Sequence, residues 1–274
     1  MAETQQTTDD KRRFVRTLGK HLSTCKDIAF TTDELRKLGI DIVPASFARA
    51  AQNTGLYPCF FLPYPRHLLT PPREEMEVRS FPEYNPERIE SSVERAQSLE
   101  LFLGEYLAEC GAQRPEIDYN VFEDSGWCYK DVADYKFQIL SEYDPPYLEG
   151  GIPQWSVQSI YHYQDQRLKP HLKSTTISDW NGHNELIFRG ELIALVRMIR
   201  GRLATPGLAH HAIHPVLLFS MMGPQQARML QGHMDGAKLV IQRSELYDFR
   251  HEDVDVLYSF AQWFLSSPVG NTEA

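Results

Sequence analysis

Val216-Leu217-Leu218-Phe219-Ser220-Met221-Met222 is the run whose reading decides the fold. It is apolar at both odd and even positions and is closed by Gly223-Pro224, so it reads as a short strand covered on both faces. Downstream, Arg228 to Met234 and Lys238 to Arg243 flank Asp235-Gly236. Asp-Gly favours a two-residue type I′ hairpin, with Ala237 outside the turn. Glu252 to Leu265 then has helical period, with Val254, Leu257, Ala261 and Phe264 on one side, Trp263 beside them and Pro268 as the stop. Upstream, Asn184 is read as an N-cap and Glu185 as a first-turn acid of a helix carrying Leu186, Ile193, Val196, Ile199 and Leu203 on one face. Arg197, Arg200 and Arg202 sit in its last turns, the end that favours cations. Helix, strands and closing helix imply a layered sheet with helical cover.

At 274 residues the chain can bury a large core without disulfides. Its 42% apolar and 24% charged content is that of a globular protein. A formal charge of −9 disfavours nonspecific nucleic-acid binding. No run of 18 apolar residues spans a membrane, and the polar N-terminus lacks a signal-peptide core. Cys25, Cys59, Cys110 and Cys128 are scattered, the pattern of reduced thiols. Cytoplasm or nucleus is the expectation.

Residues 1–10 read as a disordered tail, and residues 11–268 as a single α+β domain with a Pro-rich surface excursion near 63–86. Phe14, Leu18 and Leu22 mark an amphipathic helix over Asp10 to Leu22, and Thr31-Thr32-Asp33-Glu34 a capping box ended by Gly39. Pro44 to Gln52 reads as another helix. Asn85-Pro86-Glu87 reads as the start of a long helix holding Val93, Ala96, Leu99, Leu103 and Leu107. Strand alternation follows at Ile117-Tyr119-Val121, Tyr135-Phe137-Ile139 and Val157 to Tyr163, while Lys169 to Asn184 reads as polar and irregular. The expected fold class is α+β, a mostly antiparallel sheet with packed helices and a helical N-terminal portion.

Three constellations bear on chemistry. Asp118 and the acid-x-lysine Asp134-Tyr135-Lys136 fall on two expected strands after the long helix. Alternation would then point Asp118, Asp134 and Lys136 to one side, where the two acids hold a metal that polarises a water. The plainer alternative is a wet sheet face. The second is His210-His211-Ala212-Ile213-His214, where two histidines four apart could share a metal on a helix. Bracketing by Pro206-Gly207 and Pro215 makes it read rather as a loop, with His233 and Asp235 as groups that could approach in space. The third is aromatic: Trp127, Trp155 and Tyr161 could line a pocket with His162 as a polar fixing, although aromatics at strand period usually fill a core. Nucleophile elbow, phosphate loop, dinucleotide and His-Glu-x-x-His motifs do not occur.

The acidic set resembles the PD-(D/E)xK nucleases over about 30 residues. That resemblance implies catalysis by Asp118, Asp134 and Lys136 and a Mg²⁺ held by Asp118 and Asp134. Separately, His214 to Gln225, Ser244 to Phe249 and Trp263 are similar to uncharacterised proteins of filamentous fungi, a likeness that implies no activity. The residues taken together point to a non-catalytic binding or interaction domain of unknown partner. The alternatives are a metal-dependent nuclease-like protein, degenerate or active, and a small-molecule enzyme with an aromatic pocket.

Overall fold

The computed structural model describes residues 2–47, 58–74, 77–87, 91–112, 121–137, 148–149, 152–153 and 155–273. Val216–Gly223 is a strand, and every residue of it is buried. It belongs to an eight-stranded sheet made of β1 (Ile40–Pro44), β2 (Trp127–Lys130), β3 (Trp155–Tyr163), β4 (Leu172–Asn181), β5 (Val216–Gly223), β6 (Gln226–Asp235), β7 (Lys238–Arg243) and β8 (Tyr247–Asp248). The order is β1-β7-β6-β5-β4-β3-β2, with β8 against β6. The β4–β5 and β1–β7 ladders are parallel and the others antiparallel. The helices among the described residues are α1 (Ala2–Thr24), α2 (Thr32–Lys37), α3 (Ser92–Ala108), α4 (Val121–Asp124), α5 (Arg189–Ala204) and α6 (Val254–Phe264).

Period two decides which side chain faces which layer. Val216, Leu218, Leu230 and Ile241 join the apolar cluster that contains the buried faces of α1 and α5. Leu217, Phe219 and Met229 join the cluster of α3 and α6. The fold is therefore α+β, with the sheet held between two helical layers. No helix among the described residues is long and apolar enough to cross a membrane.

The largest departure from the sequence expectation is β4. The segment read as irregular is a central strand, buried from Leu172 through Ser178. Its polar side chains find partners inside the protein. Ser174 Oγ donates to the Ser159 carbonyl at 2.8 Å, and Thr175 Oγ1 donates to Glu100 at 2.8 Å. Lys173 Nζ donates to the carbonyls of Phe264 and Ser266 at 2.6 and 2.9 Å and lies 3.9 Å over the Trp127 ring.

Other boundaries move for identifiable reasons. Helix α5 begins at Arg189, not after Asn184, because Leu186–Phe188 first pairs with Ala29–Thr31 as a short antiparallel ladder. Asn184 instead accepts the Leu246 N–H at 2.9 Å. Helix α3 begins at Ser92, where Ser91 and Glu94 form a capping box, while Asn85 accepts the Glu87 N–H in a turn. Residues 2–10, expected as a tail, are helical, and Ile40–Pro44, unassigned from sequence, is a strand. Of the helix expected over Pro44 to Gln52, Pro44 ends that strand and residues 48–52 lie outside the described residues. Residues 132–135 form a 3₁₀ turn where a strand was expected, and Val121 starts a four-residue helix. Ile117, Tyr119 and Ile139 lie outside the described residues. Val254, expected on the packed side of α6, is exposed. In the hairpin, Asp235 pairs with Lys238, so the loop is Gly236-Ala237, and only Gly236 takes a positive φ, 55°. That is the glycine-first pattern of a type II′ turn, one residue along from the expected type I′.

Two kinds of buried polar group lie between the layers. Arg228 of β6 and Glu191 of α5 are fully buried and paired in a two-pronged contact, Arg228 Nε donating to Oε1 at 2.8 Å and Nη2 to Oε2. Arg228 Nη1 also donates to the carbonyls of His183 and Leu186, and Glu191 accepts the Phe188 N–H at 2.8 Å. This approaches the condition for a tolerable buried pair, four of the five guanidinium N–H groups having partners. The second kind is histidine. His171 before β4, His214 before β5 and His233 late in β6 are buried at one end of the sheet. Desolvation pushes the first two down to about 3 and His233 down to about 4.

Glu191→Ala leaves Arg228 buried without its counter-charge and is expected to cost about 3–5 kcal/mol in urea unfolding. Arg36→Ala, which removes an ion pair with Asp33 in solvent, is expected to leave the midpoint in place. The buried histidines set a pH dependence. Between their ordinary value of 6.5 and their folded values, the unfolded chain holds a proton that the native protein does not. Stability therefore falls as pH drops below 6.5, by about 2 kcal/mol per histidine at pH 5. Glu100, pushed upward by burial, acts in the opposite sense but is one group against three. A urea midpoint that stays flat from pH 7 to pH 5 would contradict this assignment.

Candidate functional site

Gly19 and Ser23 on α1, Ile193, Val196, Arg197, Arg200 and Gly201 on α5, and the turn at 134–136 line an open cleft of about 600 Å³. Ala204, Thr205 and Pro206 close its end. The size is that of a small-molecule or peptide site. Its floor follows from helix packing: α1 and α5 meet through Val15, Leu18, Val196 and Ile199, and the small residues Gly19 and Gly201 leave a trough. Gly201 also lets the Tyr135 ring lie against the helix, since a Cβ there would stand 2.6 Å from the ring.

The rim is cationic although the chain is acidic. Lys136 and Arg200 are exposed, and among the described residues neither has an ion-pair partner. Arg197 Nη1 donates to the Lys136 carbonyl at 2.8 Å, which ties the turn to α5, and its guanidinium lies 5.3 Å over the Phe137 ring. The single acid of the lining, Asp134, is already paired with Lys130 at 2.5 Å. The hydroxyls are used locally, Ser23 donating to the Gly19 carbonyl at 2.8 Å and Thr205 to the Gly201 carbonyl at 2.9 Å. Burial pushes the Tyr135 phenol upward. Among these lining residues no base lies against a nucleophile, so the arrangement can hold an anion but has no evident means to activate one.

Asp134 and Lys136 thus share the cleft mouth, but not as strand neighbours. Asp134 lies in the 3₁₀ turn and Lys136 takes a left-handed φ of 62°. Asp118 lies outside the described residues. The four aromatic-set residues do not share a cavity. Trp127 donates from Nε1 to the Ser266 carbonyl at 2.8 Å and packs on Phe61 and Tyr163, in the layer of α3 and α6. Tyr161 packs between Phe122 and Phe264 in the same layer. It borders a cavity of about 20 Å³ beside Glu100, room for about one water. Trp155 belongs to the opposite cluster, against Phe137. His162 is half-buried, its Nδ1 3.0 Å from the Tyr163 carbonyl.

His210 and His214 do not share a helix. The segment is a loop, as its flanking prolines imply, and His214 faces inward while His210 is exposed. Arg197 and Arg200 were legible in sequence only as cations suited to a helix end, and nothing linear joins them to Lys136. Comparison with family models, with curated proteins and with solved structures finds no match for this chain.

Proposed function

We propose that the protein is a non-catalytic binding domain and that its ligand is an anion with an apolar body, taken up in the cleft between α1 and α5. The observation that carries this reading is the pairing of an apolar trough with the exposed cations Lys136 and Arg200, which have no ion-pair partner among the described residues, in a protein of net charge −9. A carboxylate or sulfonate at the rim would meet two cations, while its hydrocarbon part lies along the trough between α1 and α5. The binding reading is favoured over a metal-dependent nuclease, because Asp134 is committed to Lys130 and Lys136 stands in a turn. It is favoured over an enzyme with an aromatic pocket, because Trp127, Trp155 and Tyr161 are packed by neighbouring rings.

The test uses anilinonaphthalene sulfonate, an anion with an apolar body whose fluorescence rises on leaving water. Saturable binding to the native protein is expected, with displacement by dodecanoate. Lys136→Glu combined with Arg200→Glu, both at exposed positions, is expected to weaken it by about tenfold or more, equivalent to about 1.4 kcal/mol. Signal that does not saturate, or that survives the double charge reversal, removes the proposal.

A further inference from the structure

The loop after α5 and the C-terminal segment meet at a point that the cleft does not involve. His211 forms an isolated antiparallel bridge with Glu273, and Thr272 O accepts the N–H groups of Ala212 and Ile213 at 2.7 and 3.1 Å. These bonds fix the loop against residues that lie about 60 positions further along the chain. The His210 and His211 rings lie side by side, 4.1 Å between centroids, and both present Nε2 to the Arg167 carbonyl at 2.8 Å. His210, His211 and Glu273 each offer a ligand atom within 4.8 Å of the other two.

We propose that His210, His211 and Glu273 form a binding site for one divalent ion of the zinc class. Two imidazoles and a carboxylate suit zinc or its borderline neighbours rather than magnesium or calcium, which prefer all-oxygen shells. The Arg167 carbonyl, already in contact with both imidazoles, or a water takes the fourth position. Zinc bonds of about 2.0–2.2 Å require the three groups to draw together. His210 and Glu273 are exposed and can move, whereas His211 is buried and serves as the fixed ligand.

The other nitrogen of His211 supports this assignment. Its Nδ1 lies 2.8 Å from the Oγ1 of buried Thr272, the outer contact that orients a metal-binding imidazole. Proton placement follows: with Nδ1–H donating to Thr272, Nε2 presents its lone pair to the ion. Without an ion, Nε2–H donates to Arg167 and the threonine hydroxyl donates to Nδ1 instead. The site therefore ties three separate stretches of chain, at 167, 210–211 and 273.

The experiment is a competition titration of Zn²⁺ against a chromophoric chelator, using the full chain freed of any affinity tag. One equivalent is expected to bind and to raise the thermal midpoint, as a ligand specific to the native state must. His210→Ala and Glu273→Gln, exposed positions chosen to spare the fold, are each expected to weaken binding by about tenfold or more. Cys128→Ser, which removes an exposed thiol far in sequence from the site, is expected to change nothing. Co²⁺ in place of Zn²⁺ is expected to show visible ligand-field bands without thiolate charge transfer. The proposal fails if no one-equivalent binding is found, if both site variants bind as the parent does, or if binding is lost with Cys128.

Discussion

A buried lysine with no ion-pair partner among the described residues stands at the centre of this protein. Lys173 is buried in β4, and desolvation pushes it well below its ordinary value. What holds it is the end of another element, the carbonyls of Phe264 and Ser266 where α6 runs out, and the face of Trp127. Helix C-termini leave carbonyls without intrahelical partners, so a donor there answers their need. Two hydrogen bonds and a ring face meet the amine group, while burial favours its uncharged form. The closing helix is thereby pinned to the central strand, and Trp127, whose Nε1 also donates to Ser266, joins the edge strand β2 to the same point.

The opposite face is fixed by a different device. Helix α5 is buried nearly all round, between α1 and the sheet, so apolar packing alone specifies its rotation weakly. The Arg228–Glu191 pair supplies direction: it sets the start of α5 over β6, and the carbonyls of His183 and Leu186 use the remaining guanidinium donor. With α5 placed in this way, its outer edge and α1 leave the trough whose rim carries Arg197 and Arg200. The candidate cleft is a consequence of how a crowded helix is anchored from beneath. The histidine-rich end of the sheet has an exposed corner where the loop after α5, the turn at Arg167 and the C-terminal segment converge.

The covered strand at Val216, the hairpin around Asp235-Gly236, the closing helix and the capping box at Thr31 were legible in sequence because each rests on local chemistry: apolar runs, a turn glycine, helical period, a cap. So was the loop character of His210 to His214, through its prolines. Residues such as Ser174, Thr175 and Lys173 misled, because a polar side chain reports its need for a partner but not where the partner is. Theirs lie 15 to 93 positions away, at Ser159, Glu100, Phe264 and Ser266. Asp134 and Lys136 show the converse error: spacing alone suggested alternation, but the Asp131 side chain caps a 3₁₀ turn and Lys136 ends it in a left-handed conformation.

The sequence by itself determined the α+β class, the acidic balance and the local elements whose hydrogen bonds close within a few residues. Tertiary structure alone decided that a polar segment becomes the central strand, that Lys136, Arg197 and Arg200 share one rim, and that Glu273 stands beside His210 and His211. The physical reason is range. Helical period, turns and caps are short-range and leave a linear trace, whereas buried charges and converging side chains are satisfied across the fold by groups whose separation along the chain carries no signal.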